Sequence, residues 1–286
     1  QMLFIIPLLK TENPYYIIVN ILTDNGENTM QNEKIRLVLA QCDLTMRETL
    51  NTRFGTQCAF TFAENGEHPT AEQLRAAAVI FGEPMSQLAQ TENLRLLQLT
   101  WAGADKYTRI ENLPQSVVLA NASGAFGTII AEYAIGSLVA LYRSFGRYWS
   151  NKQAYIWQKY DHAETISGKT ALVLGMGDIG ANVARRLKVF GAAVLGVKRT
   201  AVSAVSADFD EAHTLDALDA LLPRADIVLA ASDTRETAGL LTAERLHAMK
   251  AGAVLVNVGR GSLAGTDDLV SALQDGHLGG AALDVF

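Results

Sequence analysis

Short apolar runs alternate with amphipathic stretches from Lys34 to the last residue, Phe286. In the first half the runs Lys34–Leu39, Gln57–Ala63, Ala78–Phe81, Leu94–Leu99 and Val117–Asn121 each predict a strand. Asp43–Phe54 and Ala71–Ala77, lying between them, have helical spacing. The second half repeats the rhythm, with strands predicted at Thr170–Leu174, Ala193–Val197, Asp226–Ala231, Ala253–Val258 and Gly280–Val285. These runs are apolar at consecutive positions, as strands covered by helices on both faces must be. Ile179, Val183, Leu187 and Phe190 are spaced 4, 4 and 3 apart and form one helical stripe. Thr266 is placed to cap a helix over Asp267–Asp275, which Gly276 ends. Such alternation predicts βαβ units and mainly parallel sheets.

A long helix is predicted over Ile129–Phe145. Ala131, Ala134, Gly136, Ser137 and Ala140 keep one side of it thin, so another helix can approach, from its own domain or from a second subunit. The boundary between halves falls near 122–130. Residues 30–124 and 125–286 are therefore expected as two α/β domains, each built on a doubly wound parallel sheet. The stretch 1–29 does not fit this rhythm. Its apolar patch, Leu3–Leu9, is broken by Lys10, Glu12, Asn13 and Pro14 and is too short to span a membrane. It also lacks the basic flank and small-residue cleavage site of a signal peptide. Met30, just ahead of the first strand, reads as the natural start, with 1–29 an extension outside the fold.

Composition narrows the classes further. The 286 residues are 49% apolar and 19% charged, with a net charge of −6, so no basic face for nucleic acid is expected. Two cysteines, Cys42 and Cys58, are too few for a disulfide framework and suit a reduced, cytoplasmic protein.

The most specific local motif is Gly175-Met176-Gly177-Asp178-Ile179-Gly180, between the strand Thr170–Leu174 and the helical stripe. Gly175 makes a tight turn, Gly177 lets backbone approach a pyrophosphate, and Gly180 lets the helix pack on the strand. The helix N-terminus then offers N–H groups and partial positive charge to phosphates. Glycines also serve plain turns, but strand, loop and helix together point to a dinucleotide. The next strand ends in Lys198-Arg199-Thr200, where NAD sites usually place an acid. Two cations and a hydroxyl suit the 2′-phosphate of NADP; the alternative is a solvated strand end. After the strand Ala253–Val258, Gly259-Arg260-Gly261 puts an arginine where open parallel sheets bind ligands. Its planar fork can grip a carboxylate, although a surface turn arginine is the plainer alternative.

These stretches, in this order and spacing, resemble the D-isomer-specific 2-hydroxyacid dehydrogenases. The resemblance runs from about Ile35 to Phe286 and is carried by Ser167-Gly168-Lys169, the glycine loop, Ala225-Asp226-Ile227-Val228, Glu236-Thr237, Met249-Lys250, Asn257 to Gly261, and Gly279 to Phe286. It implies Rossmann-like and flavodoxin-like domains: a substrate domain over 30–124 and an NAD(P)-binding domain over 125–286. It further implies hydride transfer between NAD(P)H and a small 2-keto acid, in a homodimer. Arg260 matches the catalytic arginine, which binds the carboxylate and polarises the keto oxygen. Val258, Gly259 and Arg260 match the nicotinamide end, and Asp284 the aspartate that holds the carboxamide. Asp178 and Ile179 match pyrophosphate positions, and Lys198 the place of the ribose-binding acid. Trp101-Ala102-Gly103-Ala104-Asp105 resembles the substrate loop, with the N–H groups of Ala102 and Gly103 on the carboxylate. Asn121 to Glu132 matches the crossing between domains.

Departures are informative too. Ser232 stands where proline is common. The family's catalytic glutamate and histidine are expected beyond Phe286; His68, His162, His213, His247 and His277 do not fall at the histidine's position. The 286-residue chain is therefore expected to be close to inactive, and to leave apolar surface of its first domain uncovered. Two other readings use the same framework: an NAD(P)-sensing binding protein, and a dehydrogenase of formate or phosphite type. No metal is called for.

Overall fold

The computed structural model describes residues 35–39, 44–56, 58–62, 69–82, 88, 91–104, 107, 116–160, 163–200, 204–232 and 237–286. The expected extension 1–29, its Met30 boundary, Asp105, Glu236, His68 and His162 lie outside the described residues. The chain forms two compact units, divided between Ala125 and Phe126.

The first unit is a five-stranded sheet. Its strands are β1 (Ile35–Leu39), β2 (Cys58–Phe62), β3 (Val79–Phe81), β4 (Leu96–Gln98) and β5 (Val118–Ala120). They lie in the order β2-β1-β3-β4-β5, each neighbouring pair parallel. That order is the flavodoxin-like winding. Helices α1 (Leu44–Phe54) and α2 (Ala71–Ala76) follow β1 and β2. Alternation along the strands separates two cores. Ile80 and Leu97 pack with Leu74 of α2, while Val79 and Leu96 pack with Leu37 and Ala120 on the other face. A capping box starts α2: the Thr70 hydroxyl accepts from the Gln73 N–H, and the Gln73 side chain accepts from the Thr70 N–H.

The second unit opens with α3 (Gly127–Tyr142) and α4 (Phe145–Gln153). One helix over Ile129–Phe145 was the expectation; instead the chain breaks after Tyr142, where Ser144 takes φ 52°. A left-handed residue cannot continue a right-handed helix. Of the small residues of α3, Ala131 and Ala134 are fully buried in the core of this unit, whereas Gly136 is exposed and Ser137 and Ala140 are half-buried. The strands are β6 (Thr170–Leu174), β7 (Ala193–Lys198), β8 (Glu211–Thr214), β9 (Ile227–Ala230), β10 (Val254–Asn257) and β11 (Gly280–Leu283). Their order is β11-β10-β9-β6-β7-β8, parallel throughout. This is the doubly wound order in which the chain reverses between β6 and β9, and ligands bind at that switch point. Helices α5 (Asp178–Val189), α6 (Leu218–Leu221), α7 (Ala243–Ala248) and α8 (Thr266–Gln274) join the strands.

Three finer expectations change. Thr266 is the first residue of α8, and Gly265 holds the capping position without a side-chain bond. Phe190 ends α5 half-exposed; Ala184 joins Val183 and Leu187 on the buried face instead. Strand β8, Glu-Ala-His-Thr, carries no apolar run and escaped the pattern; as an edge strand it is half-buried at every position. Alternation again splits the core. Val173, Leu229 and Val256 face α3 and α5, whereas Leu172, Val228 and Leu255 face α6, α7 and α8. Among the described residues no helix is long and apolar enough to cross a membrane.

A titratable clasp joins the far ends of α7 and α8. His247 Nε2 lies 2.9 Å from Asp275 Oδ2, and its Nδ1 lies 2.8 Å from the Ala243 carbonyl oxygen. His277 stacks on the ring at 5.0 Å between centroids. Both nitrogens of His247 face acceptors, so the cation fits best; the Asp275 carboxylate, then the Ala243 carbonyl, raise its pKa above 6.5. A raised histidine contributes stability that is complete below its unfolded pKa and is lost as pH rises through the folded value. The melting temperature is therefore expected to fall as pH rises from about 6.5, where unfolded histidine titrates. His247→Gln should flatten that fall. Identical profiles for the two proteins would contradict the assignment.

Candidate functional site

The site residues of the second unit gather at the carboxyl edge of its sheet. Gly175 leaves β6 with φ 107°, a conformation that disfavours any side chain. A Cβ there would come within 3.0 Å of the Ala231 carbonyl carbon and the Ser232 nitrogen, in the segment after β9. A Cβ on Gly259, after β10, would run into the Ser232 carbonyl oxygen. Two glycines from separate loops thus press on one segment, Ala231-Ser232, at the switch point. Gly180 does the third job, since a Cβ on it would fall on the Gly175 carbonyl oxygen. That contact fastens α5 to the exit of β6.

Gly177 is different. It is exposed, and a Cβ on it would meet nothing within 4 Å. Space is therefore left over the loop at this residue. Gly177 is also the N-cap of α5 and supplies no side-chain cap to the first-turn N–H groups. Open space and uncapped donors fit a dinucleotide phosphate. Met176 turns aside: a Cβ on Gly196 of β7 would lie 2.8 Å from its sulfur. Ile179 packs its side chain against the core, so only its peptide is left to face the loop. The Asp178 carboxylate accepts from Asn182 Nδ2 at 3.0 Å and lies where a Cβ on Gly127 would fall.

Arg260 follows β10 in an extended conformation, ahead of a short 3-10 turn, Gly261–Leu263. Its Nη1 donates to the Gly259 carbonyl at 2.9 Å, which folds the guanidinium back along its own turn. Val258 points into the core, and its N–H donates to the Ala230 carbonyl at 3.0 Å, so it too offers the site only main chain. Asp284, just past β11, is exposed, and its N–H donates to the Asn257 carbonyl at 2.9 Å. The tail beyond it lies against Gly261, whose missing Cβ would strike the Phe286 backbone. Lys198 ends β7 opposite Thr214 of β8, with exposed Arg199 and Thr200 after it.

In the first unit, Trp101, Ala102 and Gly103 follow the carboxyl end of β4. The buried Asn121 side chain braces this loop, donating to the Ala102 carbonyl at 2.6 Å and accepting from the Ser123 N–H at 3.2 Å. Trp101 itself is 60% exposed. Asn121 and Asn257 open stretches that carry the resemblance, but neither was assigned a bracing role; an amide at the end of an apolar strand is the signal that could have marked it. Among the described residues no group of His, Cys, Asp and Glu could hold a metal ion.

A doubly wound sheet with a glycine loop at its switch point and an arginine turn beside it defines a dinucleotide-binding oxidoreductase fold. The chain belongs to the D-isomer specific 2-hydroxyacid dehydrogenases: their NAD binding domain model matches residues 135–286, more than half of the chain. A solved structure of a D-isomer specific 2-hydroxyacid dehydrogenase family protein from Aeromonas salmonicida is 34% identical. It superposes with a TM-score of 0.79 over 89% of this chain and 82% of that one. A second, from Xanthobacter autotrophicus in complex with NADPH and MES, is 27% identical with a TM-score of 0.73, over 89% and 81%. D-3-phosphoglycerate dehydrogenase of Mycobacterium leprae is 33% identical over 76% of this chain, a match that spans 41% of that protein. The family makes the protein an oxidoreductase that uses a nicotinamide cofactor.

Proposed function

We propose that the protein reduces a small 2-keto acid to a D-2-hydroxy acid with NADPH. The observation that carries this is the Ala231-Ser232 segment, which spaces the phosphate loop from the Arg260 turn. When bound, the nicotinamide supplies the hydride. Gly175, Gly177 and the first-turn N–H groups of Asp178, Ile179 and Gly180 hold the pyrophosphate. Asp284 and the peptides of Val258 and Gly259 serve the nicotinamide end. Arg260 binds the substrate carboxylate and stabilises negative charge on the keto oxygen. In the 30–124 domain, the N–H groups of Ala102 and Gly103 take the carboxylate. An assay of NADPH oxidation against a panel of 2-keto acids, run on the full-length protein, tests the reading. Oxidation with glyoxylate, hydroxypyruvate or a larger 2-keto acid is expected; cofactor binding without turnover of any of them would favour a binding protein instead.

Preference for NADP rests on Lys198, Arg199 and Thr200 in place of an acid, and is supported by NADPH in the Xanthobacter relative. A charge-assisted bond contributes about 1.5–3 kcal/mol, or roughly 10–100-fold. Lys198→Asp with Arg199→Ala should therefore lower kcat/KM for NADPH by about 100-fold and leave NADH within about threefold. Equal changes for both cofactors would remove the preference. A cytoplasmic homodimer completes the reading. The homodimer is supported by the exposed Ile129, Tyr133, Trp149 and Trp157 of α3, α4 and the segment after α4, large apolar side chains that association would cover. Light scattering at the mass of a single chain would count against the dimer.

A further inference from the structure

We infer that Asn257 is the positioning residue of the arginine turn: its side-chain amide sets the direction in which Arg260 leaves β10. The inference rests on the role proposed for Arg260. Asn257 is the last residue of β10 and is 3% exposed. The three residues before it, Val254, Leu255 and Val256, are buried and apolar. An amide at that depth is costly unless both its ends are bonded. Both are. Oδ1 accepts from the Gly259 N–H at 3.1 Å, and Nδ2 donates to the Arg260 carbonyl at 2.8 Å.

One side chain therefore ties down two successive parts of the turn. The Arg260 carbonyl also accepts from the Leu263 N–H at 3.2 Å, which closes the 3-10 turn behind it. The Gly259 carbonyl accepts from the Arg260 guanidinium, and Gly259 itself abuts Ser232. The main-chain carbonyl of Asn257 holds the Asp284 N–H. Packing alone would be served equally well by leucine, which could make neither side-chain bond. The amide is needed because it combines an acceptor and a donor at one fixed spacing.

Asn257→Asp separates these two functions. Its carboxylate keeps the acceptor for Gly259 but turns an oxygen toward the Arg260 carbonyl, and two acceptors repel. Protonation converts that oxygen to a donor and restores the bond, and burial raises the pH at which this happens. In the full-length protein, kcat/KM for glyoxylate with NADPH should be about 100-fold below wild type near pH 8. After division by the wild-type value at each pH, it should recover to within about tenfold near pH 5.5. The NADPH dissociation constant should change by less than kcat/KM does, because the phosphate loop is untouched and only the nicotinamide end borders the turn. Hydrogen exchange over residues 258–263 gives a readout independent of turnover: faster than wild type near pH 8 and close to wild type near pH 5.5. Asn257→Ala, which removes both bonds without adding charge, should show the activity and exchange defects at both pH values. A pH-independent ratio in Asn257→Asp, or wild-type exchange in both variants, overturns the inference. If the wild type reduces no 2-keto acid, the proposed function fails, while exchange over 258–263 still decides the role of Asn257.

Discussion

Replacing Arg260 with leucine should lower kcat/KM for the 2-keto acid by about 10³-fold. A guanidinium gripping a carboxylate makes two charge-assisted hydrogen bonds of about 1.5–3 kcal/mol each. Their sum corresponds to about 10²–10⁴-fold, and loss of charge stabilisation at the keto oxygen acts in the same direction. The fold should barely notice. Arg260 is half-buried, and Asn257 braces the backbone of the turn whatever the side chain at 260. The melting temperature and the NADPH dissociation constant should therefore stay close to wild type. Arg260→Lys keeps the charge but not the fork, and should recover about tenfold. If Arg260→Leu lost only severalfold in kcat/KM, the arginine would be a turn residue and the substrate reading would fail.

The second large effect belongs to the glycine loop, where two glycines separate fold from ligand. Gly180→Ala would place a methyl group on the Gly175 carbonyl oxygen, and Val173 leaves little room on the other side. Helix α5 must move off β6. Overpacking of this kind costs about 1–3 kcal/mol of stability. Because the moved elements are the cradle itself, NADPH should bind about 100-fold more weakly, equivalent to about 2.7 kcal/mol. Gly177→Ala is the counterpart. Its methyl group would meet nothing within 4 Å in the protein, so the melting temperature should not change. Cofactor affinity should still fall about tenfold, because the methyl group occupies space that the pyrophosphate needs. Calorimetry on the two variants checks this pair. Wild-type NADPH affinity in Gly177→Ala would show that the pyrophosphate does not lie over the loop.

The sequence discloses strands covered on both faces more fully than it does an edge, for a physical reason. Strands such as Leu172–Leu174 and Leu255–Val256 are covered on both faces, so every position is apolar and the run stands out. The edge strand Glu211–Thr214 has half-buried polar residues and no such run. Its one carboxylate and its histidine form surface pairs instead: Glu211 accepts from Arg224 and His213, which hold its pKa down to about 2. The break at Ser144 was equally hidden, because apolar spacing continues across it and only the backbone angle reveals the turn. Site residues that depend on missing side chains were legible, since Gly175, Gly177 and Gly180 announce close approach by type and spacing. Residues that act through amide geometry were not. Nothing in Val256-Asn257-Val258 shows that one side chain bonds two peptides of the following turn.

Reduction of a 2-keto acid by this protein should give the D product. The most direct test is chiral analysis of the 2-hydroxy acid formed from a 2-keto acid such as pyruvate by the full-length protein with NADPH. The D isomer alone is expected, and it should disappear in Arg260→Leu. Formation of the L isomer, or of a racemate, would contradict this.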